Sequence, residues 1–595
     1  MEDDLPTKYD VIVVGTGMTE SIVAAAASRI GKKVLHLDSN EYYGGLWATF
    51  NFDGLQKWIE DLKVPKNNTI DVSGLDLEDG EKFLKASDQY STVKNIEETW
   101  YISNEADLPV VSSKDTQTDS TGDGTGSSDE KADGDKVEKK ENVKQWSIDR
   151  IRMEYRKFNI DLAPKLLFAR GELVELLISS NISRYTEFRS VSRVATFMDG
   201  KLTQVPCSRA DVFANKTVSL VEKRMLMKLL TSCMVQGADS PEFDGFQDKT
   251  FLEYLNTKNL TPIVQHYIVQ AIAMATEKTS CRDGVNRTKH FLNSLGRYGN
   301  TPFLWPMYSS GELPQCFCRL CAVFGGVYCL KRQLDGVVID NDKCKAIISG
   351  KQRLTLEHLV VGQGHLPPEI VAFEGEQRIS RGVFITDRSI MQGEKENLTL
   401  LYYPPEEPGQ EPITLIELGP STNACPQGLF MVHMTCKRTT NAKEDLAYVV
   451  NKFLKAEPFD PSAIRSSIHS HTQTVSPDKR HLQEGSETDK EEASENPKPQ
   501  VLWSLYLNLP ASDIKLNDSA PSNLHLCSGP DLELDFDFAV HQAKSIFKAM
   551  YPEEDFLPRA PDPEEIVLEE APGPKFEGDI EVEEKQDVEK AEKEE

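Results

Sequence analysis

The first forty residues alternate between apolar runs and small or polar residues in a way that predicts a strand, a turn, a helix and a second strand. Four apolar residues, Val11 to Val14, precede Gly15 and Gly17. The alanine-rich segment that follows predicts a helix from about Glu20 to Arg29, and GKKVLHLD predicts a strand ending at Asp38. This order predicts the opening βαβ unit of an α/β fold.

The central part of the chain has helical patterns, and strand patterns return after it. PKLLFARGELVELLIS predicts a helical region, and helical signals dominate from Ser208 to about Leu295. Two capping boxes, Ser208 with Asp211 and Ser219 with Glu222, indicate that a helix restarts near residue 219. Predicted strands then follow from Gly299 onward: GGVYCLK, DGVVID, CKAIIS, HLVVG, GVFITD, PITLIEL, LFMVHMTC and VLWSLYLNLP, with DFAVHQAKSIFKAM as a closing helix.

These patterns predict an α/β domain interrupted by a smaller all-helical domain. We expect residues 1–205 and 300–560 to form the α/β domain and residues 206–299 the helical one. Three segments are polar, acidic and poor in aromatic residues, so they bury too little apolar surface to offset chain entropy. We expect disorder in these segments, which are the insert at 104–145, the insert at 466–499 and the tail at 561–595.

The charge of the chain disfavours some partners. Its 595 residues include 67 Lys and Arg against 95 Asp and Glu, a formal net charge of −28. Such acidity disfavours direct binding to nucleic acid or to anionic membrane surfaces. The opening MEDDLPTKYD is acidic and lacks the apolar core of a secretory signal. We therefore expect a cytosolic protein whose 11 cysteines are reduced thiols.

One cysteine cluster needs a choice between metal binding and packing. Cys316, Cys318 and Cys321 are spaced by two and three residues, and no second ligand pair follows at the distance that a structural zinc site requires. Cysteine also packs as a small buried residue. We predict buried thiols and no metal site here.

The glycine turn raises the question of a dinucleotide cofactor. Gly15 and Gly17 match the first two positions of G-x-G-x-x-G, but Glu20 stands where the third glycine belongs. We expect Glu20 to push the helix away from the strand and to repel a pyrophosphate at the helix N-terminus. Its carboxylate is also placed to bond the free amides itself.

Other features of a flavin site are present only in part. Asp38 follows Gly15 by 23 residues, as a ribose-binding acid does, and Gly44 and Gly45 form a glycine doublet. The arginine and the late Gly-Asp pair typical of FAD-containing oxidases do not follow. We predict a degenerate site at Gly15, Gly17, Glu20 and Asp38 without bound FAD. An FAD-dependent oxidoreductase stays open as a less favoured alternative, which a visible spectrum tests.

Three long stretches of the chain resemble the GDI/Rab escort protein family. They are YDVIVVGTGMTESIVAAAASRIGKKVLHLDSNEYYGG, FNIDLAPKLLFARGELVELLISSNISRYTEF and GRYGNTPFLWPMYSSGELPQCFCRLCAVFGGVYCL. The resemblance covers most of the chain outside the acidic segments. The chain length and the segment SRADVFANKTVSLVEKRMLMKLL favour the escort branch over the GDP-dissociation-inhibitor branch.

The resemblance implies a fold and a task. The fold is a flavoprotein-like domain without flavin plus a helical domain. The task is to bind unprenylated Rab GTPases in the GDP form, present them to the catalytic αβ heterodimer of Rab geranylgeranyltransferase, and escort the lipidated product to membranes. The chain itself is then a non-catalytic component. The alternative within the family is a GDP-dissociation inhibitor that recycles prenylated Rabs.

The resemblance also implies a Rab-binding platform. The segment GELPQCFCRLCAVFGG predicts a helix from Glu312, with Leu313, Phe317 and Leu320 as its core stripe. Glu312, Gln315 and Arg319 recur on another face of this helix. This face either matches the Rab-binding platform of the family or is an ordinary solvated surface. The platform residues carried over are Tyr43, Glu312, Gln315, Arg319 and, less directly, Arg156. Tyr43 has packing beside the glycine doublet as its alternative role.

Phe213 and Arg224 match escort-protein residues that contact the transferase. Eleven residues separate them, about three turns of one continuous helix. If the helix instead restarts near Ser219, they meet across two helices. A core Phe and a solvated Arg are the alternatives. The family also shelters the lipid between helices, for which MLMKLL has a suitable composition, and GVFITDRSI is a candidate for binding the Rab tail.

Overall fold

The computed structural model of the chain describes residues 5–64, 77–104, 146–207, 211, 219–236, 243–258, 260–393, 398–457 and 497–559. Every element below lies in the compact unit that ends at Pro558. The three segments predicted to be disordered lie almost entirely outside the described residues, and so do Phe213 and Ser208.

The strands and helices of the described residues are numbered here in chain order. The strands are β1 Val11–Val14, β2 Val34–Leu37, β3 Thr49–Phe50, β4 Glu81–Lys85, β5 Lys94–Trp100, β6 Ile160–Asp161, β7 Leu167–Phe168, β8 Phe188–Ser190, β9 Arg193–Met198, β10 Lys201–Gln204, β11 Phe303–Pro306, β12 Val327–Cys329, β13 Gly336–Asp340, β14 Lys343–Ser349, β15 Gln352–Thr355, β16 His358–Gly362, β17 Val371–Phe373, β18 Ile379–Thr386, β19 Thr399–Tyr403, β20 Ile413–Leu418, β21 Phe430–Lys437, β22 Val501–Leu509, β23 Lys515–Leu516 and β24 Leu524–Cys527. The helices are α1 Met18–Arg29, α2 Phe52–Lys63, α3 Ile148–Met153, α4 Glu172–Ser179, α5 Leu220–Gln236, α6 Phe251–Asn256, α7 Pro262–His266, α8 Cys281–Ser294, α9 Glu312–Val323, α10 Ala442–Phe453 and α11 Asp537–Met550.

A five-stranded parallel sheet contains the predicted βαβ unit. Its order is β12-β2-β1-β16-β24, with Val11 paired to Val34 on one side and to His358 on the other. Helix α1 packs between α9 and α11, and its residues from Met18 to Ser28 are buried. Because all five strands are parallel, their carboxyl ends meet at one edge, where ligand sites of such sheets lie.

A larger, mixed sheet forms the second layer of strands. Its order is β10-β9-β19-β20-β21-β18-β22-β5, and β9 and β19 are its parallel neighbours. Helix α10 packs on β18, β21 and β22. The smaller sheets are β7-β11-β8 and β15-β14-β13-β4, with the two-stranded pairs β17-β23 and β3-β6. The predicted helix over PKLLFARGELVELLIS was therefore wrong at its start, since Leu167 and Phe168 form β7 and pair with β11.

Helices α5 to α8 form the predicted helical segment. Leu226, Leu229 and Cys233 of α5 pack with residues of α6 and α8 in a core of their own. The π-helical turn Tyr267–Ile272 that continues α7 contributes residues both to this core and to the core that contains the large sheet. The segment therefore packs both on itself and on the α/β part, and the domain boundaries stay predictions. None of the helices in the described residues is long and apolar enough to cross a membrane.

Candidate functional site

The glycine turn after β1 is shaped around Glu20. Gly15 has a φ of +101°, which favours glycine. A Cβ placed on Gly17 would lie 2.5 Å from Oε2 of Glu20, and a Cβ on Gly362 would lie 2.5 Å from Oε1. The expectation that Glu20 pushes the helix away was wrong. Helix α1 stays packed because the Glu20 side chain folds back into the space that the glycines leave.

The Glu20 carboxyl group is buried and short of hydrogen bonds. It is 6% exposed, and its Oε2 has no hydrogen-bond partner among the described residues. Burial raises the pKa of Glu20 to about 8, and Asp38 adds a smaller rise. At pH 7 the group is therefore mostly the neutral acid. A neutral Glu20 repels a pyrophosphate less than the sequence suggested. Its side chain obstructs a pyrophosphate mainly because it fills the space over Gly17 and Gly362.

Asp38 is fully engaged by the protein. Its Oδ2 accepts hydrogen bonds from N and Oγ1 of Thr16 at 2.9 and 2.5 Å, and its Oδ1 accepts from N and Nδ2 of Asn40 at 2.8 and 2.9 Å. Thr16 Oγ1 in turn accepts from the amide of Gly44 at 2.9 Å. Asp38 thus fastens the loop after β2 to the glycine turn and has little capacity left for a ribose.

A cleft of about 650 Å³ opens at this edge, and Gly15, Gly17, Glu20 and Asp38 all line it. The residues present do not fit a flavin dinucleotide. The side chain of Glu20 occupies the approach over Gly17 that a pyrophosphate needs, and Asp38 is taken by Thr16 and Asn40.

Tyr43 lies on the loop that Asp38 holds. It is half-buried, and its ring lies edge-on to Tyr328 with centroids 6.1 Å apart. Burial and the neighbouring Cys318 of α9 raise the pKa of Tyr43. The loop turns sharply after it, since Gly44 and Gly45 both have positive φ. The structure therefore places Tyr43 against α9, with part of its ring packed and part exposed to solvent.

Helix α9 is anchored at its start to the short β3-β6 ladder. The amide of Gly311 donates to Oγ1 of Thr49 at 2.8 Å, and the amide of Ser310 donates to Oδ1 of Asp161 at 3.1 Å. A Cβ on Gly311 would lie 2.5 Å from the backbone nitrogen of Thr49. The helix begins at Glu312, as predicted, and a glycine precedes it because the neighbouring backbone is so close.

The faces of α9 follow the predicted spacing. Leu313 and Phe317 are buried, Leu320 is partly buried, and Gln315 and Arg319 are exposed. The cysteines lie towards α1. Oγ of Ser21 lies 3.2 Å from Sγ of Cys318, and Oγ of Ser28 lies 2.9 Å from Sγ of Cys321. Burial raises the pKa of Cys316 and Cys318 to about 12, so these thiols pack as neutral residues between the two helices.

The polar face of α9 presents three different hydrogen-bonding groups. Glu312 is half-buried, and its Oε2 has no hydrogen-bond partner among the described residues. Burial, with Glu187 second, raises the pKa of Glu312 to about 6. Nε2 of Gln315 donates to the Gly311 carbonyl at 3.1 Å. The Arg319 guanidinium lies 4.4 Å from the ring centroid of Tyr185.

Tyr185 and Glu187 lie beside the polar face of α9, and neither was predicted from the sequence. Tyr185 is 49% exposed and ends the 3₁₀ turn Ile182–Tyr185, whose position beside α9 depends on the tertiary fold. Its only sequence signal is an aromatic residue in the polar stretch SRYTE of the second family-like segment.

Arg156 lies on a neighbouring segment. It belongs to the 3₁₀ turn Tyr155–Lys157, and its Nε donates to the Tyr155 hydroxyl at 2.8 Å. The chain then enters β6, which pairs with β3. Arg156 is thus linked to the platform through the backbone, while its side chain is engaged by Tyr155. Its assignment to the platform stays a prediction.

Arg224 is exposed on α5, which begins as predicted after residue 219. The Ser219 amide donates to Oε2 of Glu222 at 2.6 Å, and the Glu222 amide donates to Oγ of Ser219 at 3.3 Å. This capping box favours the arrangement in which Phe213 and Arg224 meet across two helices. Phe213 lies outside the described residues, so the pairing stays a prediction.

The two candidate lipid-related segments have different environments. Leu226 and Leu229 of MLMKLL are buried in the helical core. GVFITDRSI begins within β18, an interior strand of the large sheet whose residues are all buried, and only the part after Thr386 is partly exposed. Neither segment is tested further by the geometry.

The family model for GDP dissociation inhibitor matches residues 1–104 and 139–459 of the chain. The chain belongs to the GDP dissociation inhibitor family. Its relatives include Rab proteins geranylgeranyltransferase component A 1 of Homo sapiens, which is 38% identical, with 96% of this chain and 94% of the relative covered. Component A of Drosophila melanogaster is 38% identical, with 96% and 93% covered.

A more distant relative and a solved structure extend the comparison within the GDP dissociation inhibitor family. Rab escort protein 1 of Arabidopsis thaliana is 26% identical, with 95% of this chain and 96% of the relative covered. The crystal structure of Rab GDI from Plasmodium falciparum is 18% identical, with a TM-score of 0.55 and coverage of 93% of this chain and 100% of that chain. This similarity shows a GDI-like α/β fold for the chain.

Proposed function

We propose that this chain is the accessory component that binds unprenylated, GDP-form Rab GTPases and presents them to Rab geranylgeranyltransferase. The observation that carries the proposal is similarity along the whole chain. Relatives named component A of that enzyme are 38% identical over 96% of this chain and over more than nine-tenths of their own length.

The polar face of α9, together with Tyr43, is the proposed Rab-binding platform. Within the described part of the chain Oε2 of Glu312 has no hydrogen-bond partner, so it is available to accept a hydrogen bond or to pair with a cation of the Rab. Arg319 donates several N–H groups, and Gln315 offers an amide that pairs with backbone. Charge-assisted hydrogen bonds of this kind are stronger than neutral ones and depend on geometry. Tyr43 adds an aromatic anchor at the edge of the same surface.

In this proposal the chain contributes binding and orientation, and the bond-making step belongs to the transferase. The helical segment 206–299 acts as a separate domain that docks the transferase through Phe213 and Arg224 and shelters the geranylgeranyl chain. The protein works in the cytosol, delivers the lipidated Rab to membranes and uses no flavin. The side chain of Glu20 over Gly17 and Gly362 supports the last point.

A reconstituted prenylation assay tests the proposal. Purified transferase, geranylgeranyl diphosphate and an unmodified GDP-bound Rab are incubated with and without this chain, and lipid incorporation is measured. We expect incorporation only when the chain is present. Arg319→Ala lowers incorporation and Rab affinity, whereas Arg438→Ala, beyond the end of β21, leaves both unchanged. Equal incorporation without the chain contradicts the proposal.

The alternative is a GDP-dissociation inhibitor that recycles prenylated Rabs, a function for which the matching family model is named. The same assay separates the two functions. An inhibitor extracts prenylated Rab from membranes but does not support prenylation of an unmodified Rab. Extraction without support of prenylation therefore selects the alternative.

A further inference from the structure

Three side chains of metal-ligand type converge near the start of α11. They are His290 of α8, Asp535, and Asp537 at the start of α11. Nε2 of His290 lies 3.9 Å from Oδ2 of Asp535 and 3.8 Å from Oδ2 of Asp537. One ligand atom from each of the three residues lies within 4.8 Å of the other two. These separations are too long for hydrogen bonds. They are near the roughly 3.4 Å between neighbouring ligands around a tetrahedral ion with bonds of about 2.1 Å.

The remaining carboxylate oxygens are already used, and their partners fix the orientation of both groups. Oδ1 of Asp535 accepts from the amide of Asp537 at 3.0 Å. Oδ1 of Asp537 accepts from the amide of Glu172 at 3.0 Å, at the start of α4. Leu173 also makes a backbone hydrogen bond to Asp537, and Oδ2 of each aspartate is the oxygen that faces the imidazole nitrogen. Backbone donors that orient ligands in this way are typical of metal sites.

The His290 nitrogen that faces the carboxylates is buried and lacks a hydrogen-bond partner among the described residues. The ring is held edge-on against Phe168, with centroids 4.0 Å apart. The side chains of Asp535 and Asp537 are only 15% and 20% exposed, so both carboxylates are largely removed from water. Lys165 acts on Asp535 only at a distance, because its ammonium group pairs with Asp531. A buried nitrogen beside two crowded carboxylates is stabilised by a cation placed between them.

We propose that His290, Asp535 and Asp537 form a binding site for a divalent first-row transition-metal cation, for which Zn²⁺ is the probe. Two carboxylates and one imidazole balance a double positive charge. The imidazole favours zinc over magnesium or calcium, which prefer oxygen ligands. The bound ion joins α8 of the helical segment to the start of α11. This site goes beyond the proposed function and does not depend on it.

Zinc titration of the full chain tests the site. Tag-free protein is stripped with a chelator and titrated calorimetrically with Zn²⁺, with excess Mg²⁺ as competitor. We expect one tight site that Mg²⁺ does not displace. His290→Ala and Asp537→Asn each weaken zinc binding at least about tenfold. Asp537→Asn is the sharper variant, because the asparagine oxygen still accepts from the Glu172 amide.

His541→Ala is the matched control. His541 lies on α11, the helix that begins at Asp537. It is 61% exposed, and its Nε2 lies 3.9 Å from an oxygen of Glu172. Its loss leaves zinc binding unchanged if the proposed site is correct. Absence of zinc binding, equal affinity in Asp537→Asn, or an equal loss in His541→Ala overturns the proposal. Circular dichroism verifies the fold of each variant, and Asp537→Asn decides the question if His290→Ala does not fold.

Discussion

The buried carboxyl group of Glu20 makes the stability of the fold depend on pH. Its pKa is about 8 in the folded chain, well above its ordinary value of 4.5. The folded state therefore holds a proton that the unfolded state loses, and stability falls as the pH rises from about 4.5 through 8. We expect Glu20→Gln to remove this dependence and to stabilise the chain by on the order of 3 kcal/mol at pH 7.

Thermal unfolding of Glu20→Gln and of the unaltered chain at pH 5, 7 and 9 checks this. The gain in Tm is small at pH 5 and largest at pH 9. Glu369→Gln is the control, since Glu369 is exposed and lines the same cleft. A Tm difference that does not change with pH contradicts the role given to Glu20.

If the proposed platform binds Rab, Glu312 makes that binding depend on pH. Its pKa is about 6 in the free chain because burial and Glu187 disfavour the carboxylate. The ionised group is the stronger acceptor, so Rab affinity falls as the pH drops through about 6. We expect Glu312→Gln to weaken Rab·GDP binding about tenfold or more at pH 7.5 and to flatten the pH profile. Affinities measured at pH 5.5 and 7.5 test this, and a parallel fall in both proteins counts against it.

Tyr185 is expected to position Arg319 for Rab. The ring under the guanidinium contributes about 0.5–1 kcal/mol at an exposed site. Tyr185→Ala therefore lowers Rab affinity by roughly twofold to fivefold, whereas Tyr185→Phe keeps the ring and the affinity. Titration of fluorescent GDP-bound Rab measures both. An equal loss in the two variants assigns the effect to the hydroxyl and rejects the stacking role.

The start of helix α9 depends on the close approach of two backbone segments, one at Gly311 and one at Thr49. A Cβ on Gly311 meets the backbone nitrogen of Thr49 at 2.5 Å, which no side-chain rotation relieves. We expect Gly311→Ala to destabilise the chain by about 1–3 kcal/mol and to weaken Rab binding. Gly409→Ala is the reference, since a Cβ there has no atom of the described residues within 4 Å and the positive φ gives strain alone. Equal effects of the two variants on Tm and Rab binding reject the clash.

The elements that the sequence predicted well carry a strong local signal. The apolar runs around Val11, His358 and Val501 became strands, and α9, α11 and the capping box at Ser219 lie where their patterns place them. Leu167 and Phe168 were misassigned because their conformation is set by pairing with β11, more than 130 residues away in the chain. Local periodicity does not report such pairing.

In the candidate site, too, features set by local sequence were predicted and features set by distant contacts were not. The helical spacing of Glu312, Gln315 and Arg319 predicted their common face, because a single helix fixes it. The stacking of Arg319 on Tyr185, the anchoring of Gly311 by Thr49 and the convergence of His290 with Asp535 join residues from distant segments. These contacts depend on the tertiary fold, and the local patterns of a single sequence do not reveal which distant segments come together.

For each of the two long acidic inserts, the residues that precede it are hydrogen-bonded to the residues that follow it. The Ile148 amide donates to the Ser103 carbonyl at 3.2 Å across the first insert. Across the second, the Lys455 amide donates to the Pro499 carbonyl at 2.8 Å, and the Val501 amide donates to the Lys455 carbonyl at 2.9 Å. The two flanks of each insert are therefore close enough for a short linker to join them.

This geometry predicts that both inserts can be shortened. We expect replacement of residues 105–145 and 458–496 by short Gly-Ser linkers to leave Tm equal or slightly higher, because each halving of a loop saves only about 0.6 kcal/mol of closure entropy. Prenylation in the reconstituted assay should be retained, since Tyr43, Glu312, Gln315 and Arg319 lie outside both segments. Differential scanning fluorimetry and lipid incorporation measure the two outcomes. A large fall in Tm would show that an insert packs on the body, whereas lost prenylation at unchanged Tm would assign a partner contact to the acidic residues.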